Sequence, residues 1–224
     1  MGYFVSRGRF VCSPMGMEIP RRAPRRPVTG SQERADRTRA LVIDETVRCI
    51  VEEGYAAASA RHIAERAGLT WGGIQYHFGD REALMMAVVD EGFTHLLRSL
   101  QTKVVSAESA DLRKMADEIV TAAWAAFSTP TSMAALEILI ATRASRGPDA
   151  TRHLAELGTA LSRLGRQIGR GLRSSHAGAV GNLLWAAMRG MVMAQMVIRD
   201  PIDTTRDRRE LVDVIVSYIE QHQK

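Results

Sequence analysis

Two pairs of side chains stand at spacings that suit metal chemistry. His153 with Glu156, and Glu91 with His95, lie three and four residues apart, so on a helix each pair shares a face and offers one nitrogen and one carboxylate. Two ligands do not make a site, and isolated pairs of this kind usually sit on solvated faces, so no metal is predicted. The chain contains no serine nucleophile elbow, no His-Glu-x-x-His helix, no Walker loop and no glycine-rich dinucleotide turn. No catalytic residue, no cofactor and no enzymatic activity are therefore expected. Cys12 and Cys49 are the only thiols, too few for a disulfide framework or a cysteine-based zinc site, and that usage suits the cytoplasm.

What remains is the chemistry of arginine, which supplies 27 of the 30 basic residues in a chain of net charge +5. The guanidinium is planar, permanently charged and forked, which suits phosphate and guanine. The charge is concentrated: residues 1–40 hold Arg7, Arg9, Arg21, Arg22, Arg25, Arg26, Arg34, Arg37 and Arg39 against Glu18, Glu33 and Asp36, a surplus of six. Such an arm either touches a polyanion or is a solvated tail. If it reaches DNA, an adjacent minor groove is the natural track for its arginines, and binding depends steeply on salt.

The elements that must carry this charge follow from composition and period. At 224 residues, with 46% hydrophobic and 25% charged, the chain can bury a core without staples. No apolar run reaches the length of a membrane span, and residues 3–12 lack a signal-peptide centre, so neither membrane insertion nor export is expected. Pro14, Pro20, Pro24 and Pro27 with Gly2, Gly8, Gly16 and Gly30 leave the first 30 residues without a period, which predicts disorder through about residue 35. Met15 and Met17 are alternative starts.

From Gln32 onward apolar residues recur every three or four positions, and the expected fold class is all-α. A helix over about 36–53 carries Ala40, Ile43, Val47 and Ile50 on one stripe and stops at Gly54, with Tyr55 at the corner. Ser59 caps a short helix over 60–67 that turns Ile63, Ala64 and Ala67 inward and stops at Gly68; Thr70 caps a third over 71–77; Asp80 caps a fourth to about 102. Two short helices about a glycine-containing turn, packed on a longer first helix, make a helix-turn-helix. Breaks at Thr129-Pro130, Gly147-Pro148, Ser174-Ser175 and Asp200-Pro201 divide the rest into helices over about 111–128, 131–144, 148–172, 176–199 and 206–222.

The stretch Gly54-Tyr55, Ile63-Ala64-Glu65-Arg66-Ala67-Gly68-Leu69-Thr70 and Gly72-Gly73-Ile74-Gln75-Tyr76-His77-Phe78-Gly79-Asp80-Arg81-Glu82-Ala83-Leu84 resembles the TetR family of bacterial transcriptional regulators over about residues 37–90. The resemblance implies an arm over 1–35, a DNA-binding domain over 36–85 and a ligand-binding and dimerisation domain over 86–224. It implies that Arg61 reads a base edge, where arginine forks onto guanine, that Thr70, Trp71, Gly72, Gly73 and Gln75 face the groove, and that Ser59 touches phosphate. Tyr76, His77 and Arg81 would hold the phosphate backbone. Phe78 is read as core, and Gly72-Gly73 as room for close approach. The family usually has tyrosine where Gln75 stands, a small polar or basic residue at Trp71, alanine at Glu45 and paired threonines at Ala58-Ser59. These departures bear on the operator more than on the fold, since glutamine suits adenine and Trp71 can lie on a thymine methyl.

The resemblance further implies a pocket for a small hydrophobic effector, for which Trp124, Phe127, Met133, Leu136, Ile140, Leu157, Leu161, Trp185 and Met188 are candidate walls and Arg143, His153, Arg189 and Gln195 candidate anchors. Helix 176–199 is apolar nearly all round, and Leu211, Val214, Ile215, Tyr218 and Ile219 stripe the last helix, more surface than one chain of this size covers. By resemblance these two helices pair with their copies in a homodimer on a palindromic operator in double-stranded DNA. The expected function is a ligand-responsive repressor. The alternatives are an all-helical sensor or carrier with a degenerate DNA-binding end and a nonspecific nucleoid-type binder.

Overall fold

The computed structural model describes residues 30–106, 111–198 and 200–222, and among these the chain is all-helical. The elements are α1 (Gly30–Glu53), α2 (Ala60–Ala67), α3 (Trp71–Phe78), α4 (Arg81–Ser106), α5 (Leu112–Phe127), α6 (Pro130–Ala141), α7 (Pro148–Gly171), α8 (Ala177–Val197) and α9 (Thr205–Gln221). Most of the expected arm, with Arg7, Arg9, Arg21, Arg22, Arg25, Arg26 and Cys12, lies outside the described residues. Its last residues are helical instead: α1 starts at Gly30, six positions before the expected start. Links between successive turns support that extension, with Gln32 donating to Asp36 at 3.2 Å, Thr38 to the Arg34 carbonyl at 2.9 Å, and Arg37 paired with Glu33 at 3.7 Å. Arg34 and Arg37 thus ride on a helix.

Short-range chemistry sets the corners between α1 and α4. Ser59 accepts from the His62 amide at 3.2 Å, Thr70 from the Gly73 amide at 3.2 Å and Asp80 from the Ala83 amide at 2.7 Å, so each opening turn has a side-chain cap. Gly68 closes α2 at φ 65°, the left-handed region that glycine enters without strain.

Two apolar clusters meet along α4. The first joins Val42, Ile43, Val47 and Ile50 of α1 to Ile63, Ile74, Leu84, Met85 and Val88, and α6 closes it through Ala134, Ala135 and Ile138. Ala40 is exposed rather than part of the α1 stripe, because the buried face rotates onto Val42, Thr46 and Cys49. The second cluster holds Leu96 and Leu100 of α4, the inner faces of α5 and α7, Leu184, Trp185 and Met188 of α8, and Leu211, Ile215 and Ile219 of α9. One chain therefore covers much of the apolar surface of α8 and α9. What it leaves open is a stripe along α8: Leu183, Met193 and Val197, with Ala186 and Gly190 between them; Val214 of α9 is exposed too.

α7 and α8 approach backbone to backbone. A Cβ added at Gly181 would lie 2.5 Å from the Gly165 carbonyl carbon and 2.6 Å from its Cα, and one added at Gly165 would lie 2.6 Å from the Trp185 indole nitrogen. That nitrogen, fully enclosed, donates to the Leu161 carbonyl at 3.1 Å, which satisfies its one polar atom. No single helix among the described residues is long and apolar enough to cross a membrane; α5 and α6 reach that composition only as a pair bent by 67°.

Candidate nucleic-acid interface and internal cavity

α3 is anchored by Ile74, which is wholly buried, and by Trp71 and Phe78, each half-buried against the first cluster. With those three turned inward, Gly72, Gly73, Gln75 and Tyr76 are left on one outward face, Tyr76 with 86% of its surface exposed. Trp71 divides its ring between core and solvent. A Cβ at Gly72 would meet nothing within 4 Å, so the fold does not require glycine there, and the pair weakens helix propensity by about 1 kcal/mol per residue. The His77 ring stacks edge-on against Tyr76, centroids 5.3 Å apart, and its carbonyl accepts from Arg39 at 3.0 Å. Arg39, in sequence one of the arginines of the basic arm, also lies with its guanidinium 4.4 Å over the Phe78 ring and ties the long α1 to the end of α3 across 38 residues.

The arginines divide sharply by role. Arg61 stands at the start of α2 and, among the described residues, pairs with Glu65 at 2.7 Å on an exposed surface, which favours its charged form. An exposed pair of this kind is weak and readily exchanged for a phosphate or base edge. Arg66 is spent: its guanidinium meets Glu53 at 2.5 Å, Glu52 at 2.8 Å and Glu45 at 3.7 Å, and this network explains the acidic residue at 45. The His62 ring hydrogen-bonds Glu53 and holds its carboxyl below the usual range, with Arg66 acting the same way. Cys49, Glu53 and His62 each offer one ligand atom within 4.8 Å of one another, but burial pushes the thiol up and Arg66 already occupies the cation's place on Glu53.

Arg81, expected against phosphate, has internal partners here: it donates to the Ala58 carbonyl at 2.7 Å and the Tyr55 hydroxyl at 2.9 Å, and lies 4.7 Å over the Tyr55 ring. The α1–α2 corner presents free carbonyls to it, and an internal partner already desolvated outcompetes a distant one. Tyr55 is held in turn by Glu137 of α6, which accepts its amide at 2.5 Å. Ser59 and Thr70, expected at phosphate and at the groove, have their hydroxyls engaged as caps while remaining on the exposed surface.

A small cavity of about 90 Å³, partly open to solvent, lies between α4, α5, α6, α7 and α8. Of the residues expected to line it, Phe127, Leu136, Leu161 and Arg189 do; Gly92, Phe93, Leu96, Ser132, Ala135, Leu139 and Val192 complete the wall. The α4 contribution was overlooked, although Phe93 and Leu96 continue the three-and-four spacing of Val89. The other expected wall residues turn elsewhere. Trp185 and Met188 are core, Leu157 packs on the first cluster, Ile140 is half exposed, Trp124 faces α9 under Arg208, and Met133 opens on a separate groove beside Gln195. Arg143 is exposed beyond α6, and Gln195 holds the α8–α9 turn by donating to the Ile202 carbonyl at 3.1 Å.

His153 is not in the cavity either: its ring meets Asp90 at 2.5 Å and joins α7 to α4. That hydrogen bond, with charge from Asp90 and Glu156, raises the imidazole above its ordinary 6.5 against a small desolvation cost. A raised folded value means that the pair stabilises fully below pH 6.5 and that the gain disappears as pH climbs through the raised value. Both partners are nearly half exposed, so the effect is below about 1 kcal/mol. The Tm difference between the native chain and His153→Gln is expected to be largest at pH 5.5–6.5 and to close above the raised value; a gap that widens with pH would contradict this.

Residues 42–88 match the family model of the bacterial regulatory proteins of the tetR family. The chain is 34% identical over 79 residues to the transcriptional regulator TtgR of Pseudomonas putida, a stretch covering 34% of this chain and 38% of the relative. It is 37% identical over 54 residues to the transcriptional repressor AcnR of Corynebacterium glutamicum, covering 24% and 29%. The matched stretch thus spans under two-fifths of these relatives' length. The fold resembles the TetR-family regulator PfmR of Thermus thermophilus with a TM-score of 0.62 at 18% identity, covering 79% of this chain and 97% of that one. It also resembles NalD, a repressor of a multidrug efflux pump in Pseudomonas aeruginosa, with a TM-score of 0.56 at 18% identity, covering 83% and 96%.

Proposed function

We propose that the chain is a sequence-specific DNA-binding transcription regulator of the tetR family, whose model its N-terminal helical unit matches, and that it is a homodimeric repressor released by a small apolar effector. The observation that carries the reading is the outward face of α3. Gly72, Gly73, Gln75 and Tyr76 are exposed on a helix whose other face is fixed by Ile74, and Arg61 of the preceding helix is exposed as well. Such a helix fits a major groove, with Arg61 and Gln75 as base readers and Tyr76 and His77 against the backbone. Arg34 and Arg37, carried on the forward extension of α1, add positive charge without reading sequence.

The open stripe of Leu183, Ala186, Gly190, Met193 and Val197 recurs at alternating spacings of three and four, and its small residues let another helix come near. A second copy of α8 is the occupant that fits, and a twofold dimer places two α3 helices on the two halves of a palindrome. The cavity touches both α4, which runs on from α3, and α8, so a ligand there acts on groove spacing by favouring one of two dimer arrangements.

Selection from a random duplex library at about physiological salt, with ligand-free protein, tests the reading directly. One enriched palindrome is expected. Binding without preference would favour a nucleoid-type role, and no binding at all would favour an all-helical sensor whose DNA-binding end has decayed.

A further inference from the structure

We propose that the cavity selects ligands that are apolar over most of their length and carry one negative charge, with Arg189 as the anchor for that charge. The inference rests on the reading of this cavity as the effector site and names the chemistry of its occupant. Among the lining residues there is no carboxylate, so an organic cation would be buried without a counter-charge. Ser132 is the only hydroxyl in the wall and it is already used: it donates to the Ala126 carbonyl at 2.9 Å and receives the Thr129 hydroxyl at 2.9 Å. The Leu139 carbonyl is taken by Arg146. The polar capacity left in the wall is the guanidinium of Arg189.

Arg189 has no hydrogen bond or ion pair with any described residue, in contrast to Arg61, Arg66, Arg81, Arg113, Arg146 and Arg208, each of which has one. It sits on α8 three residues before Val192, which also lines the wall, and it is exposed. Its stem therefore lies along the apolar rim and its head reaches solvent at the mouth, the usual disposition of a long cationic side chain at an apolar boundary. A ligand tail entering between Phe93, Leu136 and Leu161 leaves an acidic head at that rim, where guanidinium and carboxylate pair through a bidentate, charge-assisted hydrogen bond. The class is that of medium-chain fatty acids and aryl carboxylic acids.

The test is calorimetric titration of the full chain at pH 7.5 with decanoate, decan-1-ol and decyltrimethylammonium, three probes of one tail and three charges, each below its micellar concentration. Decanoate is expected to bind at least tenfold more tightly than the ammonium, with decanol between. In Arg189→Gln, an exposed change that leaves the core intact, the preference for the anion should vanish while decanol is unaffected. Equal binding of anion and cation, or an anion preference that survives Arg189→Gln, overturns the proposal while leaving the cavity as an effector site. Filling the cavity with Leu136→Trp, with folding checked by circular dichroism, separates the two failures: probe binding that persists in that variant lies elsewhere and overturns the effector-site reading itself, as does a lack of binding by all three probes.

Discussion

A Gly181→Val chain is expected to melt roughly 10 °C below the native protein. The new side chain would start 2.5 Å from the Gly165 backbone, which cannot rotate away as a side chain can, so α7 and α8 must part. Overpacking of this kind costs about 1–3 kcal/mol. Separation also pulls the Trp185 indole from the Leu161 carbonyl, and a buried donor left without an acceptor costs about 1–3 kcal/mol more. At about 2–4 °C per kcal/mol for a chain of this size, the sum gives the expected shift. Gly158→Ala, on the same α7 but with open space around it, is the control; it should raise Tm slightly, since alanine is the better helix former by about 1 kcal/mol. Thermal unfolding followed at 222 nm decides the matter, and equal melting of the Gly181→Val and native chains would remove the interlock from the account.

The second large effect is on DNA. Arg61→Ala should weaken binding to the selected palindrome by between about 5- and 150-fold and relax preference at one base pair in each half-site, the signature of a lost base reader. A phosphate contact would instead weaken all duplexes alike and lower the salt slope by about one. Because Glu65 holds the same guanidinium at 2.7 Å in the free protein, Glu65→Gln should strengthen binding, by freeing Arg61 and removing a negative charge from the DNA-facing side. Arg81→Ala should act differently, through stability, since its donors close on Ala58 and Tyr55 inside the fold. Unchanged affinity and unchanged preference in Arg61→Ala would sink the groove assignment.

What could be read in the chain before any coordinates was what is decided within a few residues. The caps at Ser59, Thr70 and Asp80 and the stop at Gly68 each involve a bond to an atom at most five positions away, and all four stand where the residue types place them. The fate of Arg81 was not legible, because its acceptors lie 23 and 26 residues back and only the packed corner brings them within reach. The cavity walls failed for a related reason. Periodicity tells which residues share a face of α5, α6 or α8, but not how each helix is rotated against its neighbours, so Trp185 and Met188 fell into the core while α4 supplied the wall instead. The start of α1 was misjudged because the proline and glycine content upstream masked a run of good helix formers from Gln32 to Arg39.

The length of α4 has a consequence in plain geometry. At about 1.5 Å per residue, Arg81 stands about 38 Å from the helix's far end and Leu96, in the cavity wall, about 15 Å from it. If the helix turns as a stiff rod about that end, motion at the wall is multiplied about two and a half times at Arg81, so that 1 Å of room made for a ligand becomes about 2.5 Å at the helix that follows α3. Counted on both halves of a twofold pair, that reaches about 5 Å, more than the 3.4 Å step between neighbouring base pairs. On the proposed reading, an occupant need only be slightly too large for its cavity to put two reading heads out of phase with the duplex.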